Sequence, residues 1–378
     1  MHKAAQFIQD QLQVRIENGS LRKLSETKGL IDFCSNDYLG FARSEKLAIA
    51  IEEETSKITC GLHGATGSRL ISGNRPFTEA TEAFIADFHQ AESGLIFNSG
   101  YDANVGLVSS LAQRGDTIIS DELIHASLID GARLTYANRY TFRHNNLTDL
   151  EAKLRSAKGN IYVLAESVYS MDGDIAPLQE INMLCEQYEA NLIVDEAHAI
   201  GIFGNHGKGL VQELNLEKKV FARVVTFGKA IGCHGAIVLG SNLLRDYLIN
   251  FARSFIYTTA ASLHNIAAIK CAYERLIELD HSLLIRKKIS LYSSLMGQAA
   301  LTTHPHSVSA IQTVLYSTNA AAKSAAFVLQ KKGLDVRAIL SPTVPQGRER
   351  LRICLHLFNK DEEISTLVDE LKRLTFIS

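Results

Sequence analysis

Apolar positions recur along this chain at two periods, and the places where the period changes divide it. Ala4, Phe7, Ile8, Leu12 and Ile16 share one helical face over residues 4–17, closed by Gly19. A short extended run, Leu30–Phe33, leads into the turn-rich Ser35-Asn-Asp-Tyr-Leu-Gly40, and a helix is predicted over 45–57. The glycine-dense stretch Gly61–Asn74 fits neither period and reads as a long irregular loop, whose glycines let backbone amides approach a ligand. From Pro76 onward, short β-branched runs alternate with helical stripes. Strands are predicted at 93–97, 117–120, 140–143 and 160–165, and at the runs that begin with Asn191, Val224 and Gly235. Helices are predicted at 77–89, 103–112, 126–135, 147–157 and 178–189. Such alternation means a parallel sheet with helices on both faces.

Past Gly240 the alternation fades into helical stretches at 242–253 and 261–296. A smaller module follows: a strand at 311–316, a helix at 320–332, the loop Ser341–Pro345, a strand at 349–355 and a helix at 361–374. At 378 residues the chain exceeds a single core. The expected organisation is a large domain over 45–265 and a small α+β domain over 266–378, which the N-terminal segment 1–44 joins.

Composition changes this picture little. The chain is 46% hydrophobic and 21% charged, with a net charge of −2, so neither a nucleic-acid footprint nor a polybasic membrane surface is indicated. Cys34, Cys60, Cys185, Cys233, Cys271 and Cys354 are scattered without a Cys-x-x-Cys pair, which indicates no metal site and no redox motif. The first ten residues lack the apolar core of a signal peptide, and no run reaches the ~20 apolar residues of a membrane span. A soluble cytoplasmic enzyme is expected.

The chemistry concentrates in two segments, Asn191-Leu-Ile-Val-Asp-Glu-Ala-His198 and Val224-Val-Thr-Phe-Gly-Lys-Ala-Ile231. Each is a buried-strand run ending in reactive side chains, and ligands of open parallel sheets sit at the carboxyl ends of strands. Asp195, His198, Thr226 and Lys229 would then meet in one crevice. That set suits pyridoxal phosphate: an amine condenses with its aldehyde, and a carboxylate keeps its pyridine nitrogen protonated. His198 could reach the phenolic oxygen and Thr226 the phosphate. Alone, a strand-end Asp is often a helix cap and a Lys after Gly a solvated loop residue; both segments in this order narrow the choice. Ser99-Gly100-Tyr101, between a strand and a helix, offers free amides to an anion. Gly204-Asn-His-Gly-Lys-Gly209 lacks the spacing and the Ser or Thr of a nucleotide-binding loop. His125 opens a helix and has the side chain best suited to acid–base work near neutrality. Arg22, Arg69 and Arg352 are candidates for a substrate carboxylate.

These segments, with Ser35–Gly40, Gly64–Asn74, His125-Ala-Ser127 and Ser170-Met-Asp-Gly-Asp174, resemble the α-oxoamine synthases over nearly the whole chain. That family has the fold-type I architecture of pyridoxal-phosphate enzymes. The resemblance implies a mainly parallel seven-stranded sheet with helices on both faces, plus a smaller α+β domain. It also implies decarboxylative condensation of an amino acid with an acyl thioester. The Gly-Ser-Arg-Leu-Ile-Ser-Gly-Asn run points to L-alanine and pimeloyl-CoA, or a pimeloyl-carrier protein. Other members use glycine with acetyl-CoA, or a long-chain acyl-CoA. On the cofactor set alone a plain aminotransferase is open, and so is a partner subunit that has lost the chemistry.

Carried over residue by residue, Lys229 would bond to the cofactor, Asp195 would pair with the pyridine nitrogen, and His125 would stack on the ring. Ser170 and His198 would approach the phenolic oxygen, and Ser99, Gly100, Tyr101 and Thr226 would hold the phosphate. A homodimer with shared sites is implied, Thr258 or Thr259 reaching the neighbouring chain's phosphate. Arg22 would serve the acyl substrate and Arg352 the amino-acid carboxylate, and Asn36 would be a further substrate-binding residue. Two places depart from the family's pattern: Thr78 stands near where a histidine is usual, and Cys354 and His356 where threonines are frequent.

Overall fold

The computed structural model describes residues 2–24, 29–58, 64–299 and 307–375. Cys60 and the Gly61–His63 start of the glycine-rich stretch lie outside the described residues. Contacts divide the chain into a larger unit, Asn36–Ser170 with Ile175–Arg286, and a smaller one, Met1–Ser35 with Met171–Asp174 and Lys287–Ser378. The divisions drawn from the sequence at residues 44 and 265 fall elsewhere, the second inside the helix Leu263–Glu278.

The larger unit is built on a seven-stranded sheet. Its strands are β1 (Ser93–Phe97), β2 (Thr117–Asp121), β3 (Asn138–Phe142), β4 (Ile161–Glu166), β5 (Asn191–Asp195), β6 (Ala222–Thr226) and β7 (Ala236–Gly240). Their order across the sheet is β1-β7-β6-β5-β4-β2-β3. Neighbouring strands from β6 to β3 run parallel, whereas β7 is antiparallel to both β6 and β1. The reason for that exception is length. Only residues 227–235 join β6 to β7, too few for the crossover a parallel neighbour needs. β4, β5 and β6 are buried along nearly their whole length, as central parallel strands covered on both faces must be.

Helices lie where the stripes placed them: Pro76–Phe88, Gly100–Leu111, Ala126–Arg133, Leu147–Ser156 and Leu178–Gln187. One boundary matters for chemistry. Gly100–Asp102, expected as a turn, already forms the first turn of its helix, with Ser99 as N-cap accepting the Asp102 N–H. The expected stretch 261–296 is two helices, Leu263–Glu278 and His281–Gln298, parted where Asp280 Oδ1 accepts the Ser282 N–H at 3.1 Å.

In the smaller unit, β8 (Ile311–Tyr316), β9 (Arg337–Ile339) and β10 (Glu349–Cys354) form an antiparallel sheet in the order β9-β10-β8. The helix Asn319–Lys331 belongs to the same unit. A two-residue strand, Ile31–Asp32, pairs with Leu334–Asp335 and ties the N-terminal segment to this unit.

Candidate active site

Three neighbouring strands of the larger unit end in polar side chains: β4 in Glu166, β5 in Asp195 and β6 in Thr226. The apolar run ahead of each is buried, so the strands are fixed by packing and the side chains at their ends inherit that rigidity. Lys229 sits in the β6–β7 connection. The Phe227 N–H donates to the Gly235 carbonyl and the Gly232 N–H to the Lys229 carbonyl, both at 2.8 Å, which closes the loop. Lys229 Nζ lies 2.7 Å from His198 Nε2. His198 Nδ1 is in turn 2.7 Å from the Tyr38 hydroxyl, which donates to Asn36 Oδ1 at 3.1 Å.

A second network surrounds Asp195. Asn104, one turn into the helix Gly100–Leu111, donates from Nδ2 to Asp195 Oδ2 at 2.7 Å and to Ser127 Oγ at 2.9 Å. Asp195 Oδ1 accepts the Ala197 N–H at 2.9 Å. Ser127 Oγ is 2.7 Å from His125 Nδ1, and the Ser127 N–H donates to the same nitrogen at 3.2 Å. Nδ1 is therefore an acceptor, so the neutral ring carries its proton on Nε2. Desolvation pushes the His125 pKa below its usual value, the charge of Asp195 raising it and that of Lys229 lowering it. Glu166 accepts the His125 main-chain N–H. Burial pushes its carboxyl up to about 8, and the neighbouring Asp195 adds to the rise.

The helix that starts at Gly100 aims its N-terminus at the same strand ends. A Cβ at Gly100 would stand 3.1 Å from Thr226 Oγ1, so a side chain there would press on that hydroxyl, and glycine lets the backbone come this close without it. Ser99 is already engaged as the cap: its hydroxyl donates to Asp102 Oδ2 at 2.7 Å. Tyr101 points outward, with its hydroxyl on Asp130. Its side chain is thus turned to solvent, and what the helix start offers an anion is backbone N–H. Ser170 is half-buried in the turn that follows β4. Asn98 donates from Nδ2 to Thr258 Oγ1 at 3.1 Å and to the Thr259 carbonyl at 2.8 Å, which places Thr258 and Thr259 beside the end of β1 in their own chain.

The arginines separate. Arg69 is committed to Glu82, with Nη1 and Nη2 at 2.5 and 3.1 Å from its two oxygens, so it serves the scaffold and not a substrate. Arg22 and Arg352 belong to the smaller unit. Arg22 is exposed and donates to Thr343 Oγ1 at 3.2 Å, while Arg352 is buried on β10 with Nη1 3.0 Å from Cys354 Sγ. His356, also there, is buried with Nδ1 3.0 Å from Asn359 Oδ1 and Nε2 2.9 Å from the Ser35 carbonyl. Thr78 is buried in the helix Pro76–Phe88. The reading of single segments overlooked Asn104 and the role of Glu166. Glu166 at least carried a signal, being an acid at the end of an otherwise apolar strand run.

The donor set fits pyridoxal phosphate. A buried carboxylate braced by Asn104, a lysine amine against an imidazole, and a glycine-lined helix start beside a threonine match its nitrogen, aldehyde and phosphate in kind. Asn104 Oδ1 is buried without a hydrogen-bond partner, as befits a centre built around something more than its own side chains. Known proteins agree. Residues 28–371 match the family described as aminotransferase class I and II. An 8-amino-7-oxononanoate synthase of Emericella nidulans is 43% identical over 364 residues, 90% of this chain and 88% of its own. A solved 8-amino-7-oxononanoate synthase from Francisella tularensis superposes with a TM-score of 0.78 at 27% identity, over 93% of this chain and 99% of that one. A structure described as SPT with PLP internal aldimine superposes with a TM-score of 0.90 at 25% identity, over 100% of this chain and 99% of that one. With its strand-end amine, carboxylate and imidazole set on this fold, the chain belongs to the aminotransferase class I and II family.

Proposed function

We propose that this chain is a pyridoxal-phosphate-dependent C-acyltransferase that condenses L-alanine with a pimeloyl thioester, either pimeloyl-CoA or a pimeloyl-carrier protein. The products are 8-amino-7-oxononanoate, carbon dioxide and the free thiol, and the step belongs to biotin synthesis. One observation carries the reading: Asp195, His198, Thr226 and Lys229 gather at the ends of two adjacent strands in a chain 43% identical to a protein of that activity's name.

Bound there, pyridoxal phosphate supplies an electron sink for the charge left on the amino-acid Cα. Lys229 would hold it covalently, Asp195 would serve the ring nitrogen and keep a proton on it, and His125 would cover the ring. Ser170 and His198 approach the phenolic oxygen. The backbone at Ser99, Gly100 and Tyr101, with the Thr226 hydroxyl, would receive the phosphate, and Thr258 or Thr259 of the partner subunit would complete that site. The Lys229 amine would take the Cα proton, and His198, 2.7 Å from it, orients the amine and can share its proton. His125, with its proton on Nε2, is the donor to the thioester oxygen. Arg352 would take the amino-acid carboxylate and Arg22 the acyl substrate, and Asn36 is a further substrate-binding residue.

The homodimer is supported by the first helix, whose Phe7, Ile8 and Leu12 are at least half exposed on the single chain. A cytoplasmic setting is supported by the free state of Cys34, Cys185, Cys233, Cys271 and Cys354, and no helix among the described residues is long and apolar enough to cross a membrane.

The test is CoA release by the purified, cofactor-loaded protein, with alanine against glycine and pimeloyl-CoA against acetyl-CoA. Release confined to alanine with pimeloyl-CoA supports the reading. Release with glycine and acetyl-CoA moves the chain to another acyl transfer of the same type. No release with any pair, in protein that carries the cofactor spectrum, sinks the acyltransferase.

A further inference from the structure

Glu166 and Asp195 end adjacent parallel strands as register partners, which sets two carboxyl groups side by side in the interior. Both are buried, 3% and 6% exposed. Asp195 is braced by Asn104 and by the Ala197 N–H. Glu166 instead accepts the main-chain N–H of His125, the N-cap of the helix Ala126–Arg133. The contacts close on themselves. They run from Asp195 through Asn104 Nδ2 to Ser127 Oγ, from Ser127 to His125 Nδ1, and from the His125 N–H to Glu166, which flanks Asp195 again.

We propose that Glu166 is a positioning residue of this centre: its carboxyl, side by side with Asp195, holds the His125 main chain and so sets where the imidazole lies. The inference rests on the cofactor reading above. His125 has two tethers of different kind. Ser127 fixes the ring's rotation through Nδ1, while Glu166 fixes the backbone from which the ring hangs. The His125 carbonyl accepts the Leu128 and Ile129 N–H groups on the helix side, and Glu166 adds the tether on the N–H side, towards the strand ends. The groups that face Glu166 are Asp195, Asp121, Lys229 and His125; the two acids favour its neutral form, and Lys229 and the His125 N–H its charged one. Burial decides between them, since an ionised carboxylate there would sit against a second one.

The experiment measures pyridoxal-phosphate affinity and the pH profile of the cofactor absorbance in purified parent, Glu166→Gln and Glu166→Leu. If the parent binds no cofactor, the cofactor reading itself falls. The glutamine keeps a neutral acceptor for the His125 N–H, so its affinity at pH 7 stays within about threefold of the parent's. The leucine leaves that N–H buried without an acceptor and loses about tenfold or more in affinity. Between pH 7 and 9 the parent alone gains a charge here, so the affinity ratio of glutamine variant to parent changes with pH. A glutamine variant as impaired as the leucine one at pH 7 overturns the proposal, because a charge would then be what matters. Leucine binding as tightly as the parent overturns it too. Should the leucine variant fail to fold, the glutamine variant's pH ratio decides alone, and a flat ratio counts against the proposal.

Discussion

Glu82 and Glu166 are both buried in the larger unit, 2% and 3% exposed, yet their surroundings differ in kind. Glu82 receives two bonds from Arg69, the Ile96 N–H at 2.8 Å and a longer approach from Arg245 at 3.5 Å. Arg69 in turn pins the one-turn stretch Arg69–Gly73, where Gly73 packs so close to Ala260 that a Cβ would meet its methyl at 2.4 Å. The buried Glu82 carboxylate thus has its opposite charges beside it. At the strand ends the balance is reversed: Glu166 lies next to Asp195, with the Lys229 amine and the His125 main-chain N–H facing it. A matched pair of buried charges builds scaffold, whereas a buried acid whose pKa is raised by burial and by a neighbouring carboxylate marks a centre whose remaining counter-charge comes from elsewhere.

The sharpest way to break this comparison is to empty each region of its cation. Lys229→Ala removes the amine on which the proposed chemistry depends, and CoA release falls by about 10³-fold or more. The urea midpoint of the apoprotein should shift far less than the rate. If rate and stability fell together, Lys229 would be a scaffold cation like Arg69. Conversely, Arg69→Leu leaves Glu82 buried with only the distant Arg245, and costs about 3–5 kcal/mol of stability, towards the lower end because Arg245 remains. The double variant Arg69→Leu/Glu82→Leu should recover much of that loss in urea denaturation; no recovery would mean that the pair is more than charge balance.

A smaller effect probes how the site holds its acid. Asn104→Ala strips Asp195 Oδ2 and Ser127 Oγ of their shared donor, at an expected cost of about 1–3 kcal/mol in the apoprotein. An unchanged urea midpoint would show that water takes over the role, and that Asn104 braces nothing.

Asn104 also marks where sequence reading stops. Asp195, His198, Thr226 and Lys229 were legible because a strand run followed by a reactive cluster is a local pattern, and parallel strands bring such clusters to one edge. Asn104 is one polar position inside a helix, and only the pairing of that helix with β5 gives it a purpose. The same holds for the fold. The alternation of strands and helices was visible residue by residue, but the Ile31–Asp32 pairing with Leu334–Asp335 joins two-residue strands some three hundred positions apart. No local periodicity encodes it. The short β9, Arg337–Ile339, was missed likewise, since three half-buried residues carry no period. Arg69 shows the opposite error, a candidate ligand by chemistry that turned out to be spoken for by a glutamate thirteen positions on.

The finest test of the comparison is electrostatic and needs no cofactor. Glu166 has its carboxyl pKa raised from 4.5 to about 8 by burial and by Asp195, so between those values the folded chain keeps a proton that the unfolded chain has released. Stability therefore falls as pH rises through that window, is unaffected by this group below it, and bears the full cost above it. Glu196, raised to about 7, slopes the same way, but it is present in parent and variant alike and cancels. Glu166→Gln abolishes only the Glu166 share. The stability of the variant apoprotein relative to the parent should thus climb by about 1 kcal/mol per pH unit between pH 5 and 8, and then level off. Urea denaturation at pH 4, 6, 8 and 9 reads it directly. Glu82→Gln, by contrast, takes a charge from a matched pair and should cost stability across that range without such a climb. If the Glu166 difference were flat from pH 5 to 8, the carboxyl would already be ionised in the fold, and the strand ends would be as charge-matched as the Arg69 region.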